Sequence, residues 1–323
     1  MTSAGATPAV RSDGTGAALR GPVLGLDIGG TKIAAGVVDE RGAVLSYVRA
    51  PSNPEQGPDE SLGRLFELGQ QAIAEAGVDI RAVGIGCGGP LDSERGVLIA
   101  PLHLPGWRDV AVTALAEQAF ERPAFLENDA TAAAAAEHRF GAGVGTRHML
   151  YLTISTGVGG GGIVDGELYR GAEGNGSEFG HVTVDWHGRR CRGCGRLGCL
   201  EAYVSGTSIS ERAAEAGLPG LDASQVAARA DDGDPVARAL WDETIEALAC
   251  GLTSIVNLFE PELVVIGGGV SNTGESLLGP VRERVRAEAM TPAGHEVNIV
   301  RAGLGDHVGV VGAAAIALER VVA

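Results

Sequence analysis

Six consecutive residues near the start of the chain, Asp27-Ile28-Gly29-Gly30-Thr31-Lys32, combine residue types suited to holding a phosphate. An apolar run, residues 23–28, leads into the two glycines, and a second apolar run, residues 33–38, follows at once. This pattern predicts a tight β-hairpin. Because glycine has no Cβ, backbone N–H groups of such a turn can approach an anion closely. Thr31 and Lys32 add a hydroxyl and a positive charge, although an ordinary hairpin turn can contain the same glycines.

A second run, Glu127-Asn128-Asp129-Ala130, lies between a short apolar segment and an alanine-rich stretch. It predicts the end of a strand followed by the start of a helix, at the edge where open α/β sheets bind ligands. In this place Asp129 can cap the helix by accepting backbone N–H bonds, and Asn128 can do so equally well. The alternative is chemical, because Asp129 can accept the proton of a hydroxyl group that attacks a phosphoryl group.

Three of the five cysteines lie within nine residues and follow a histidine. The cluster consists of His181, Cys191, Cys194 and Cys199. One imidazole and three thiolates complete a tetrahedral zinc site with no open position, so the cluster predicts a structural zinc ion. Glu178 and Glu201 flank the cluster, either as acceptors for the hydroxyl groups of a sugar or as solvated loop acids.

The elements that must position these residues follow a repeated order. Hydrophobic spacing predicts, in turn, strands at 23–28, 32–39 and 44–49, a helix at 59–76, a strand at 82–87, a helix at 110–120, a strand at 124–127 and a helix at 130–139. A strand at 148–155 opens a second unit, in which the turn Thr156-Gly157 repeats the first hairpin. Further elements are predicted near 162–165 (strand), 235–258 (helix), 263–266 (strand), 275–290 (helix), 297–301 (strand) and 310–322 (helix). We therefore expect two similar lobes around a ligand cleft, with the final helix packed back on the first lobe.

Composition limits the class of protein. The 323 residues exceed what one hydrophobic core usually organises, which again favours two lobes. The chain has 41 acidic and 25 basic residues, and its formal charge of −16 argues against a nucleic-acid or membrane surface as partner. Two G-x-G-x-x-G patterns, at 84–89 and 157–162, do not lead into a helix as a nicotinamide dinucleotide site requires.

Residues 1–20 are rich in Gly, Ala, Ser and Thr and contain no continuous apolar segment. We interpret them as a flexible tail and not as a signal peptide. No stretch approaches the roughly 18 apolar residues that span a bilayer. The cysteines also lack the spacing of a secreted disulfide framework, so we expect a cytoplasmic protein.

Taken together, these motifs resemble the ROK family of sugar kinases and sugar-responsive repressors, and its bacterial glucokinase-type members in particular. The resemblance runs from about Val23 to the C-terminus. It rests on residues 27–32, 88–92 (Gly-Gly-Pro-Leu-Asp), 104–107 (Leu-Pro-Gly-Trp), 127–130, 156–161, 178–181 (Glu-Phe-Gly-His) and the end of the cysteine loop, 198–201 (Gly-Cys-Leu-Glu).

The resemblance implies a two-lobed, actin/hexokinase-like α/β fold in which an RNase H-like unit is duplicated. A small lobe would cover 21–130 and be joined by the C-terminal helix, 310–323. A large lobe would cover 131–309 and include the zinc loop, 181–201. We also expect a homodimer or homotetramer.

The resemblance further implies that ATP and Mg²⁺ bind in the cleft and that the 6-hydroxyl of a hexose, with glucose as first choice, receives the phosphoryl group. Asp129 would be the general base. The sugar would be held by Gly89, Asn128, Asp129, Glu178, His181 and Glu201. The nucleotide would be held by Asp27, Gly29, Gly30, Thr31, Lys32, Thr156, Gly157, Gly268 and Gly269. His181 would bind zinc through one ring nitrogen and face the sugar with the other.

Several alternatives stay open at this point. N-acetylmannosamine, N-acetylglucosamine and amino-hexoses suit nearly the same scaffold, and a non-catalytic sugar-sensing protein is the rival class. The repressors of the family carry a winged helix-turn-helix before the first hairpin, where this chain has a short Gly- and Ala-rich segment, so we expect no nucleic-acid partner.

The cysteine loop departs from the usual family pattern, Cys-x-Cys-Gly-x-x-Gly-Cys-x-Glu, by one extra residue. We expect Gly193 to accommodate that residue with an unusual backbone angle and the zinc site to survive. Which cysteine is the first ligand stays open.

Overall fold

The structure is a computed structural model that describes residues 21–322; the predicted tail at 1–20 lies outside the described residues. Two five-stranded sheets form its centre. The first half of the chain contains β1 (Val23–Ile28), β2 (Lys32–Val38), β3 (Val44–Pro51), α1 (Pro58–Ala76), β4 (Val83–Cys87), β5 (Leu91–Asp92), β6 (Val97–Leu98), α2 (Val112–Phe120), β7 (Ala124–Asn128) and α3 (Asp129–Phe140).

The second half contains the cysteine loop and most of the helices. Its elements are β8 (Met149–Ile154), β9 (Val158–Val164), β10 (Glu167–Tyr169), α4 (Glu201–Val204), α5 (Gly206–Glu215), α6 (Ala223–Asp231), α7 (Pro235–Phe259), β11 (Leu263–Gly267), α8 (Glu275–Glu288), α9 (Pro292–His295), β12 (Asn298–Arg301) and α10 (Val308–Val322). The helices α5 and α6 are additions to the pattern that the sequence predicts.

The two sheets have the same topology. The first has the strand order β3-β2-β1-β4-β7, and the second has the order β10-β9-β8-β11-β12. In each sheet the second strand along the chain pairs antiparallel with both the first and the third. The last two strands run parallel to the first. The predicted duplication is therefore confirmed. Because the parallel strands of a sheet end at a common edge, both predicted phosphate turns lie at such carboxyl edges.

The C-terminal helix α10 lies directly on the first sheet. Gly25 in β1 and Gly84 in β4 face the α10 backbone at Val310 and Ala313 so closely that any side chain at either glycine would collide with it. The same helix crosses α3 closely at Gly312. Small residues on both partners thus allow close packing of helix on sheet and of helix on helix.

Helix α3 packs in the same way on β9 of the second sheet. A Cβ at Gly159 would be 2.8 Å from the Ala130 Cβ, and one at Gly161 would be 2.5 Å from the Ala134 Cβ. The sequence predicts the return strand near 162–165, whereas β9 begins at Val158, because its glycines pair with β8 and make room for α3. This packing brings the start of α3 next to the second phosphate turn.

Since α3 contacts α10 and both sheets, the division of the chain near residue 130 stays a prediction. Among residues 21–322, no helix combines the length and the apolar character needed to span a bilayer.

Candidate active site

The first predicted phosphate cradle is a tight turn between β1 and β2. The Gly29 N–H donates to the Lys32 carbonyl across 3.0 Å and closes the turn. Ser52, directly after β3, donates its N–H to the Thr31 carbonyl (3.2 Å) and its hydroxyl to the Gly30 carbonyl (2.7 Å). These bonds engage the carbonyl side of the turn, so its N–H side is the one suited to an anion.

Asp27 lies at the base of this turn, close to two other charged groups. Burial and, to a smaller extent, the nearby Asp129 carboxylate raise the pKa of Asp27 to about 7, although Lys32 opposes the shift. The Asp27 carboxylate also lies against Gly309, in the first turn of α10, where a side chain would collide with it. A cation placed beside Asp27 would favour its charged form.

The start of α3 separates two roles that the sequence leaves open. Asn128 caps the helix, because its Oδ1 accepts N–H bonds from Ala130 (3.0 Å) and Thr131 (3.1 Å). Asp129 is the first helical residue, and its Oδ1 accepts the Ala130 N–H across 2.8 Å. Capping therefore falls to Asn128, and the Asp129 carboxylate does not serve as the cap.

The surroundings of Asp129 tune its basicity. Desolvation by the surrounding protein raises its pKa, whereas the Ala130 N–H and the interaction with His103 lower it. A carboxylate with a raised pKa is a stronger base, and one in a desolvated place can accept a proton from a hydroxyl group. Asp129 is thus a group that can do general-base chemistry.

The Asn128 side chain also faces Gly89, the glycine that precedes the cis proline Pro90. A Cβ at Gly89 would be 3.8 Å from both the Asn128 Nδ2 and the Asn175 Oδ1. Asn175 belongs to the loop after β10, and its amide donates to the Leu91 carbonyl across 3.4 Å. Sequence analysis did not identify Asn175, and its contact joins the first half of the chain to the second.

His181 uses its two ring nitrogens toward different neighbours. Its Nδ1 lies 3.7 Å from the Cys191 Sγ, and its Nε2 lies 3.8 Å from the Glu178 Oε2. Burial raises the pKa of Glu178, His181 opposes the shift, and Asp129 and Glu201 raise it further. Glu178, His181, Glu201 and Asp129 therefore form one electrostatic neighbourhood, with the cysteines on one side of the imidazole.

Glu201 connects the cysteine loop to the second phosphate turn. Its Oε2 accepts the Val158 N–H across 3.0 Å, and its Oε1 lies 3.3 Å from the Cys191 Sγ, which donates to it. A Cβ at Gly157 would be 2.9 Å from the Glu201 Oε2. Part of the hydrogen-bonding capacity of Glu201 is thus engaged in holding the start of β9.

The second turn, Ser155-Thr156-Gly157, is closed by an N–H bond from Ser155 to the Gly157 carbonyl (2.9 Å). Gly268 follows β11 at the same sheet edge, with a positive φ of 83° and its α-carbon against the backbone of Ile154. Gly269 has open space where a side chain would be. The second turn and Gly268 thus share one edge of the second sheet. Gly269 has no comparable packing contact with that edge.

The predicted zinc ligands come together. One ligand atom from each of the four residues, His181, Cys191, Cys194 and Cys199, lies within 4.8 Å of every other. Two thiolates on one tetrahedral zinc ion are separated by about 3.8 Å, from a Zn–S bond of about 2.3 Å. The Cys194 and Cys199 sulfurs are 3.4 Å apart, which is too long for a disulfide and close to this value. The donor set and its spacing therefore fit zinc.

The expectation for Gly193 is wrong. Its backbone does not take a positive φ; the positive values in this loop are at Gly195 and Gly198, 74° in both. Gly193 is instead close to its neighbours, because a Cβ there would be 2.8 Å from the Glu201 Oε1 and 3.3 Å from the His181 Cε1. The extra residue therefore needs to be small and does not need special backbone freedom.

Two further residues at the site escaped sequence analysis. His103 lies between Gly30 and Gly88, beside Asp129. Arg170 donates from Nε to the Glu127 Oε2 across 2.7 Å and so joins the loop after β10 to the strand that ends at Asn128. The buried Glu127 next to the Asn-Asp pair was the available signal for a basic partner.

Comparison with known proteins agrees with this geometry. The family model described as "ROK family" matches residues 23–320. This chain belongs to the ROK family. A glucokinase from Thermotoga maritima is 36% identical over 315 residues, which cover 93% of this chain and 98% of the relative.

Two solved structures of the family are also similar. A ROK hexokinase from Thermus thermophilus has 42% identity and a TM-score of 0.80, over 93% of this chain and 99% of that one. A ROK family glucokinase from Streptomyces griseus, solved with glucose and AMPPNP, has 35% identity and a TM-score of 0.78, over 93% and 100%. The two five-stranded sheets are therefore the two halves of the actin-like sugar kinase fold.

Proposed function

We propose that this ROK family protein is a glucokinase that transfers the γ-phosphoryl group of ATP to the 6-hydroxyl of glucose. The observation that carries the proposal is the position of Asp129. Its carboxylate begins α3 next to the second phosphate turn, and it interacts electrostatically with Asp27 below the first turn and with Glu178 beside the cysteine loop. The similarity to a glucokinase solved with glucose and an ATP analogue supports the choice of both substrates.

Asp129 acts as the general base in this proposal. It accepts the proton of the 6-hydroxyl as that oxygen attacks the γ-phosphorus. A bond forms between the sugar oxygen and phosphorus, the bond from phosphorus to the β–γ bridging oxygen breaks, and ADP leaves with the electron pair. The raised pKa of Asp129 favours proton acceptance, and the Ala130 N–H and His103 limit that rise.

The nucleotide side of the proposal uses the two turns. The N–H groups of Gly30 and Thr31, with the Lys32 charge, would bind phosphates from one side, and Thr156 and Gly157 would do so from the other. The Gly29 N–H closes the turn that presents them. Gly268 and Gly269 would lie near the ribose and adenine. Asp27 and Asp129 would attract Mg²⁺, which supplies charge neutralisation for the phosphates.

The sugar side uses acceptors and donors that face away from the turns. Asn128 offers its amide N–H₂ because its oxygen caps α3, and Gly89 leaves room beside it. Glu178 and the Nε2 of His181 would bind hydroxyl groups near the anomeric carbon, together with the remaining acceptor capacity of Glu201. A structural zinc ion on the Nδ1 of His181 and the three cysteines would fix the orientation of that ring.

The experiment is a coupled ADP-release assay with a panel of hexoses: glucose, mannose, glucosamine, N-acetylglucosamine and N-acetylmannosamine. We expect the highest kcat/KM with glucose. A higher kcat/KM with an amino or N-acetyl hexose would leave the proposed fold and chemistry in place and would change the substrate. The absence of turnover with every sugar would favour a sugar-sensing protein.

We call the group formed by Glu178, His181 and Glu201 the sugar corner. Glu178→Gln tests it in the same assay. Because the loss of one charged acceptor leaves a sugar hydroxyl poorly paired and lets the ring tilt, KM for glucose should rise and kcat should fall, each by about tenfold or more. Glu173→Gln, in the same loop and exposed, is the matched control and should leave both constants unchanged. Unchanged constants in Glu178→Gln would remove this corner from the sugar site.

A further inference from the structure

His103 lies between the two segments that would contact the phosphate and the sugar. On one side, a Cβ at Gly30 of the first turn would be 3.3 Å from the His103 Cβ. On the other side, a Cβ at Gly88 would be 2.5 Å from the ring Cε1, and the ring Nε2 is 4.0 Å from the Cys87 Sγ. The imidazole thus fills the space that side chains at positions 30 and 88 would take, where β1 and β4 end.

The loop that carries His103 is anchored by its neighbours. Leu104 and Trp107 are each 2% exposed and pack beneath the first turn, against Ile28 and Ile33. The Leu104 N–H donates to the Pro101 carbonyl (3.0 Å), and the Trp107 N–H donates to the Leu104 carbonyl (3.2 Å). This packing fixes the His103 backbone while its half-buried imidazole faces the site.

The imidazole also lies beside the proposed base. His103 is among the groups that act electrostatically on Asp129, and Asp129 acts in turn on Asp27 at the base of the first turn. His103 is therefore close to the base as well as to the two segments.

We propose that His103 is a positioning residue of phosphoryl transfer, whose imidazole spaces the first phosphate turn from the Gly88-Gly89 loop beside Asp129. This inference rests on the proposed function. No bond to His103 forms or breaks in the reaction. Its contribution is to the geometry of the two segments.

Two substitutions test the spacing. His103→Phe keeps an aromatic ring between Gly30 and Gly88, whereas His103→Asn removes the ring. Gly88→Ala leaves His103 intact but displaces its ring. His148→Asn, directly before β8 and so at the opposite edge of the second sheet, is the matched control. The readouts are kcat, KM for glucose, KM for ATP and the melting temperature.

We expect kcat of His103→Asn to fall by about tenfold or more, with KM for glucose changed by less than about threefold. His103→Phe, which keeps a ring in this place, should retain kcat within about threefold of wild type. Gly88→Ala should lower kcat as His103→Asn does, and His148→Asn should leave it unchanged. If one of these variants unfolds, the other two carry the comparison.

Two outcomes would overturn the role of His103 while wild-type turnover upholds the proposed function. One is wild-type kcat in both His103→Asn and Gly88→Ala. The other is a fall in kcat of His103→Phe as large as that of His103→Asn, which would show that the ring does not act as a spacer. A wild-type protein that phosphorylates no sugar would instead overturn the proposed function itself, and the role of His103 with it.

Discussion

The two aspartates of the candidate site have different surroundings. Asp27 is desolvated and lies close to the Asp129 carboxylate, so its pKa rises to about 7 although Lys32 opposes the shift. Asp129 is desolvated too, but the Ala130 N–H and the interaction with His103 act in the other direction. Asp27 is therefore the group whose ionisation changes near neutral pH in the ligand-free protein.

Asp27→Asn is expected to stabilise the ligand-free protein more at pH 8 than at pH 5.5. The folded pKa of about 7 exceeds the ordinary value of 3.8, so ionised Asp27 destabilises the folded state increasingly as the pH rises toward 7. The extra gain at pH 8 should be roughly 1–2 kcal/mol in urea unfolding. Asp242→Asn, exposed on α7, is the control. An equal effect of Asp27→Asn at both pH values would contradict the raised pKa.

The cysteine loop is the element whose function depends most on a bound group. It lies between β10 and α4, outside the two central sheets, and its three cysteine sulfurs and one imidazole nitrogen converge within 4.8 Å. Through His181 it reaches Glu178, and through Glu201 it holds the start of β9 after the second turn. A zinc ion there would make the loop rigid and would contribute to folding free energy.

Cys199→Ser is expected to lower zinc content and stability together. Wild-type protein should contain about one zinc ion per chain by elemental analysis, and the variant should lose most of it. The free energy of unfolding should fall by on the order of 3 kcal/mol, because the metal contributes to folding. Cys250→Ser, on α7 and outside the cluster, should keep its zinc. A zinc-free wild-type protein with full stability would contradict the assignment.

At the scale of elements, the sequence predicts those with strong periodicity and misses those set by tertiary contacts. The strand β1, the helix α7 and both phosphate turns follow from apolar spacing and glycine. The start of β9 does not, because a run of four glycines is typical of a loop, and only the approach of Ala130 and Ala134 on α3 explains it as a strand. His103 is missed for a similar reason, since its neighbours Gly30 and Gly88 are far from it in sequence.

At the scale of the whole molecule, an ion-pair network joins the two halves of the chain. Arg170, after β10, donates to the Glu127 Oε2 (2.7 Å) and to the Glu319 Oε1 on α10 (3.3 Å). Glu127 is completely buried, and its Oε1 accepts the Asn128 N–H (3.1 Å). Glu127 is adjacent to the Asn-Asp pair, so the network also supports the site.

Arg170→Met is expected to destabilise the protein by about 3 kcal/mol, because it leaves the buried Glu127 carboxylate without its partner. Adding Glu127→Gln should recover part of this loss. Glu319 is 38% exposed, so Glu319→Gln should cost about 1 kcal/mol or less. Chemical denaturation of the four proteins checks the order. An Arg170→Met protein as stable as wild type would show that the network does not hold the halves together.

The central claim is that Asp129 is the general base of glucose phosphorylation, and single-turnover transfer from ATP to glucose by wild type and Asp129→Asn tests it most directly. The amide keeps the shape and most hydrogen bonds of the carboxylate but loses its basicity. Glucose 6-phosphate should therefore form about 10²–10⁴-fold more slowly in the variant, while calorimetry shows glucose binding within a few-fold of wild type. Transfer at the wild-type rate by Asp129→Asn would contradict the claim.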